Sequence, residues 1–154
     1  MPVTPYSTAF PLPEQPWRNS GIPLGDSVRA LALSLMNPAS SPSERSWRAQ
    51  LRGLLDPVRK AFAEHRAATE GAHGLYAEVV HDAPRLAHTV DGLVAEHHAL
   101  DTAMAKLAHW TDEVSADAEA IRRGALEVLG ELSRHRQHDA DLVYEAYTTD
   151  IGGE

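Results

Sequence analysis

The chain is expected to be all-α: an up-and-down four-helix bundle preceded by an extended, proline-rich segment. Three observations predict this. Apolar residues recur at steps of three, four or seven along three long stretches, the signature of helices that bury one face. Helix starts and stops punctuate those stretches at plausible lengths. No stretch shows the two-residue alternation of a strand, and no internal repeat is present. A length of 154 residues suits one domain with a hydrophobic core.

The elements follow in order. Residues 1–23 contain Pro2, Pro5, Pro11, Pro13, Pro16 and Pro23. Proline fixes φ and lacks an N–H, so this segment is predicted to be extended and to contribute no helix. Its Tyr6, Phe10 and Trp17 either pin it to the bundle or to a second copy in a homodimer, or leave it a free tail. The bundle then occupies 24–154. Asp26 is placed to cap a short helix to about Met36, with Val28, Leu31 and Leu35 inward, and Asn37-Pro38 to end it. Ser41-Pro42-Ser43-Glu44 reads as a capping box with proline at the first helical position. The helix it opens should reach Glu70 and stop at Gly71, bent where Pro57 removes one backbone bond. Residues 71–83 form a connector in which Leu75 to His81 make one or two turns. Pro84 opens a helix to at least His109, a turn falls between Trp110 and Asp117, and a last helix covers about 118–147 before a short tail.

Composition narrows the function. The formal charge is -8 and no basic stretch occurs, so neither nucleic acid nor an anionic membrane surface is an expected partner. Cysteine is absent, which excludes disulfides, thiolate zinc sites and iron–sulfur clusters. No apolar run approaches the ~20 residues of a membrane span. No basic stretch followed by an apolar one marks a secretion signal, so a cytoplasmic location is expected.

Three histidines sit where apolar residues belong. The stripe Trp47, Leu51, Leu54, Leu55, Val58, Phe62 continues onto His65. Leu86, Val90, Leu93 lead to His97 and on to Leu100, Met104, Leu107. Ile121, Ala125, Val128, Leu132 lead to His135 and then Leu142. Each histidine therefore lies on the face its helix buries. Three that converge are best explained by a metal ion, which binds imidazole nitrogen. Carboxylates lie nearby: Glu70 after His65, Glu96 and Asp101 around His97, and Asp139, Asp141 and Glu145 after His135. At ~100° per residue, Asp139 lies about 40° from His135, Glu145 about 80° and Asp141 about 120°. The candidate ligands are therefore His65, Glu70, His97, Asp101, His135, Asp139 and Glu145, with Asp141 suited to orienting a histidine. Glu70 is about 140° from His65, but at a helix end where geometry loosens. His73, His81 and His88 read as surface residues, His98 and His109 fall off the stripes, and His138 is a weaker candidate.

Several blocks resemble a branch of the bacterial hemerythrin-like, or HHE cation-binding, proteins. They are Phe62-x-x-His65-x-x-x-Thr69-Glu70-Gly71, Gly74-Leu75-Tyr76-x-Glu78, Ala83-Pro84-Arg85-Leu86, Glu96-His97, His135-Arg136-Gln137, Ala140 to Tyr147, and Asp150-Ile151-Gly152-Gly153. The resemblance covers about residues 45–154. It implies a bundle holding non-haem iron, often two bridged irons, with a position open to dioxygen or a relative. The chain departs from hemerythrin proper. It has no His-x-x-x-His pair, and the residue five after His135 is Ala140 rather than aspartate.

Three functions remain open at this level. One is a di-iron protein that binds or activates dioxygen or a related small ligand, with manganese or zinc as alternative metals. The second is a non-haem iron oxidase or oxygenase acting on a small-molecule substrate, with Tyr76, Tyr144 or Tyr147 lining its pocket. The third is a metal-free interaction bundle. A shared site carries a geometric condition: His97 and His135 meet at one level if Trp110 is still helical and the turn falls close to Ser115, with helix continuing to about Val114, or if the final helix has a long overhang; the late turn is expected.

Overall fold

The computed structural model describes residues 17–36 and 44–148, with backbone alone for 17–22. Helix α1 spans Trp17–Met36, α2 Glu44–Glu70, α3 Leu75–Asp82, α4 Ala87–Asp112 and α5 Ala118–Thr148; a 3-10 turn over Pro84–Leu86 leads into α4. No strand occurs among the described residues. No described helix is long and apolar enough to cross a membrane.

Helix α1 begins at Trp17, so residues 17–23 are helical rather than extended, and Asp26 lies inside the helix instead of capping it. Packing overrides the local penalty here. Pro23 in a helix interior costs ~3 kcal/mol. Leu24, Val28, Leu31 and Leu35 are all buried along this helix, and each such burial contributes ~1.5–3 kcal/mol. Pro57 is also accommodated within α2, on its exposed side. The remaining prolines of the N-terminal segment, with Tyr6 and Phe10, the Ser41-Pro42-Ser43 cap and the C-terminal tail lie outside the described residues.

Helix α1 packs against α2 and α5, and α4 packs against the same two. Neighbours run antiparallel. Arg48 at the start of α2 donates to the carbonyls of Trp110 and Glu113 at the end of α4, whereas Arg66 near the end of α2 meets Asp101 earlier in α4. Glu96 of α4 meets His138 of α5, while Gly124 near the start of α5 lies against Leu107 and Trp110. Arg122 of α5 donates to the carbonyl of Leu35 at the end of α1. This is the arrangement expected of an up-and-down bundle.

The turn after α4 is late, as the shared level of His97 and His135 requires, although α4 stops at Asp112 rather than Val114. Arg48 accounts for its position. Its guanidinium donates to the carbonyls of Trp110, in the last turn of α4, and of Glu113 and Ala116 in the connection that follows. Asp117 then accepts from the amide of Ala120 at 3.2 Å, opening α5.

Between α2 and α3 the chain reverses at Gly74. A Cβ there would stand 2.4 Å from the carbonyl oxygen of Ala68 and 2.6 Å from that of Thr69. Only glycine permits this approach, and the approach brings Tyr76 of α3 against the bundle.

The buried apolar residues form two clusters. The larger joins Leu51, Leu55, Val58 and Phe62 of α2 to Leu100, Met104 and Leu107 of α4 and to Ile121 through Leu132 of α5, and includes the α1 leucines. The smaller joins α3 to Val90, Leu93, Leu142 and Ala146. Along α4 and α5 the residues that separate them are His97, His135 and Asp139. A polar layer thus divides the apolar interior.

Candidate metal centre

His65 comes from α2, His97 from α4, and His135 and Asp139 from successive turns of α5. All four residues are buried: His97 is 0% exposed and His135 1%. The two lie fifteen residues before the end of α4 and seventeen after the start of α5, which sets them at one level. One ligand atom from each of the four residues lies within 4.8 Å of the others, a group that can hold a metal ion.

The contacts define which atoms face inward. His97 Nδ1 donates to Glu70 Oε1 at 2.5 Å, and His135 Nδ1 donates to Glu96 Oε2 at 2.7 Å. Assigned from this network, the neutral tautomers leave both Nε2 atoms as lone pairs. These stand 2.9 Å apart. Asp139 Oδ2 lies 3.3 Å from His135 Nε2 and 2.9 Å from His65 Nε2. His65 Nε2 and Asp139 Oδ2 nevertheless have no hydrogen-bond partner among the described residues. Their approach is close but not aligned as a hydrogen bond. Two imidazole lone pairs and a carboxylate oxygen therefore converge with His65 Nε2, whose tautomer no contact fixes, an arrangement that a cation relieves.

The surroundings set protonation. Burial drives His97 toward its neutral form, and repulsion from His135 and His65 adds to this against Glu70. Burial also opposes charge on His135, but the adjacent Asp139 carboxylate and the bond to Glu96 outweigh it and raise its pKa above the ordinary value. Burial works against the Asp139 charge as well; His135, His65 and Tyr76 nonetheless hold its carboxyl well below the usual range. Glu70 is lowered in the same way, its burial outweighed by His97 and Arg66. The metal-free site thus favours a proton on His135 more than water does.

Two aromatic rings close the site. Phe62 is fully buried, with its ring centroid 5.5 Å from that of His97, 6.2 Å from His135 and 6.3 Å from His65. Tyr76 stacks on His97 and donates from its hydroxyl to Asp139 Oδ1 at 2.7 Å. Burial, then the Asp139 charge, push the phenol far above the ordinary tyrosine range, so it keeps its proton.

Not every expected ligand joins this group. Asp101 is drawn outward by Arg66, which it pairs with, and its side chain is 44% exposed. Glu145 lies on the exposed face of α5, and its ten-residue separation from His135 sets it ~15 Å further along the helix axis, beyond reach of a shared ion. Glu70 reaches the layer, but behind His97 rather than beside His65, because its own helix ends there. Of the three tyrosines, Tyr144 is exposed and Tyr147 donates to Glu78; only Tyr76 reaches the site. His73, His81, His88, His98, His109 and His138 are all exposed. The role of Glu96 is not evident from its spacing to His97, since its partner is His135 on the neighbouring helix. The antiparallel pairing of α4 and α5 was the signal that could have found it.

No protein-family model, curated protein or solved structure matches the chain.

Proposed function

We propose that this chain is a non-haem metalloprotein in which His65, His97, His135 and Asp139 hold one divalent transition metal, iron in the first instance, to bind or activate dioxygen or a related small molecule. The observation that carries this is the convergence of His97 Nε2, His135 Nε2, His65 Nε2 and Asp139 Oδ2 in a buried layer, the last two without a hydrogen-bond partner among the described residues. Three imidazoles and one carboxylate suit iron and manganese as well as zinc. The four donors meet at one point, while Glu70 and Glu96 are engaged with ring nitrogens. That favours one ion over the bridged pair implied by the resemblance to hemerythrin-like proteins.

Bound there, ferrous iron would supply an electron and a coordination position to the small ligand. The chain's own residues do the rest. Glu70 and Glu96 hold the two imidazoles with Nε2 forward. Tyr76 keeps a proton 2.7 Å from Asp139 and 3.4 Å from His97 Nε2, ready to donate a hydrogen bond at the edge of the site. Phe62 excludes water from the side facing the larger core. Burial of all four residues favours a ligand of a few atoms over a larger substrate.

A closed structural zinc site is the second reading, favoured because all four donors come from the protein. Loading the purified protein with ferrous iron without air, measuring metal content, and then admitting air separates the readings. Iron near one per chain with a new charge-transfer band supports the proposal. Bound zinc with a silent spectrum supports the second reading. A protein that takes up no metal refutes both and leaves a metal-free bundle.

A further inference from the structure

The four residues of the centre are not held equally. His97 is fixed through Nδ1 by Glu70 at 2.5 Å, and Glu70 is itself held by Arg66 at 3.0 Å. His135 is fixed through Nδ1 by Glu96 at 2.7 Å, whose other oxygen is held by His138 at 2.7 Å. Asp139 is fixed through Oδ1 by Tyr76 at 2.7 Å. His65 alone has no such contact: its Nδ1 is buried without a hydrogen-bond partner among the described residues.

The backbone repeats the asymmetry. His97 and His135 stand in the middle of α4 and α5, more than two turns from either end. His65 lies five residues from the end of α2, just before the reversal at Gly71 and Gly74. The hydroxyl of Thr69 bonds back to the His65 carbonyl at 2.9 Å, a contact that competes with the helix's own bonding and loosens it.

Resting on the metal reading above, we propose that His65 is the exchangeable ligand. His97, His135 and Asp139 form the permanent three-point hold, and the position of His65 is where a small external donor of two or three atoms, anionic or neutral, enters. An imidazole whose distal nitrogen is hydrogen-bonded is oriented before the metal arrives; one whose distal nitrogen is free has to be ordered by the metal itself. It is therefore the first to yield. Its departure also gives Nδ1 the chance to find a partner it lacks inside.

The test uses cobalt(II) alone as the metal and azide as the external donor, with the full chain and the variants His65→Ala, His65→Gln, His97→Ala and His135→Ala. Cobalt affinity is read by competition with a chromogenic chelator, azide binding by the cobalt absorption bands, and folding by circular dichroism. Both His65 variants should hold cobalt within about 10-fold of the unmodified protein, while the other two lose about 100-fold or more, each having also stranded a carboxylate. Azide should bind the His65 variants about 10-fold more tightly, since no internal ligand competes for the position. Loss of cobalt from the His65 variants as complete as in His135→Ala overturns the proposal. So does azide affinity equal to that of the unmodified protein, or loss of helical signal in both His65 variants. An unmodified protein that binds no cobalt removes the metal reading itself, a failure distinct from these.

Discussion

Replacing Glu96 by alanine tests whether the carboxylates behind the histidines prepare the centre. Glu96 Oε2 accepts from His135 Nδ1 at 2.7 Å and thereby fixes both the ring orientation and the nitrogen that faces inward. Removing such a partner typically lowers metal affinity ~10- to 100-fold, equivalent to about 1.4 to 2.8 kcal/mol. The Glu96 side chain is 36% exposed, so solvent screens its charge and the lower half of that range applies, about 10- to 30-fold. Glu70 is 25% exposed and closer to its histidine, at 2.5 Å, so Glu70→Ala should lose more. His138→Ala leaves the Glu96–His135 bond in place and should cost less than about threefold. Zinc competition against a chromogenic chelator at fixed pH reads all three, with circular dichroism as the check on folding. A Glu96→Ala protein that binds zinc within twofold of the unmodified chain would falsify the orienting role. A His138→Ala loss as large as that of Glu96→Ala would show instead that the outer histidine carries the effect.

Three further outcomes follow from the same geometry. The raised pKa of His135 stabilises the metal-free fold fully below the unfolded value of ~6.5 and ceases to do so as pH rises through the folded value. Metal has to displace that proton, so affinity should climb over this window. Calorimetry near pH 6.5 in buffers of different ionisation enthalpy should detect proton release, and none released would contradict the assignment. Phe62→Ala empties a fully buried position and should destabilise the fold by ~3–5 kcal/mol in urea unfolding; a loss under about 1 kcal/mol would mean the ring is not packed as described. Asp139→Asn should sharply reduce metal content by elemental analysis while Asp101→Asn leaves it unchanged, since Asp101 turns outward to Arg66; equal losses would count against the ligand set.

Much of the fold is local in origin and was therefore legible in the sequence. Helical periodicity is a property of neighbouring residues, and it located the stripes of α2, α4 and α5 and the three histidines on them. Gly71 and Pro84 marked ends because each acts through its own backbone. Even the late turn followed from the sequence, once the histidines were required to meet, by rise per residue alone. Asp139 was also accessible, one turn from His135 on the same helix.

What the tertiary structure alone decided concerns competition between helices. Pro23 argued against helix, but the burial of Leu24, Val28, Leu31 and Leu35 against α2 and α5 is energy that no local rule contains. Asp101 had acceptable spacing, yet a carboxylate goes where its strongest partner stands, and that partner is Arg66 on another helix. Glu96 had no distinguishing spacing and acquired its place from the facing turn of α5. A periodic pattern determines which face of a helix is buried. Which side chains then touch depends on the register between helices, and that is set by packing across the whole interior.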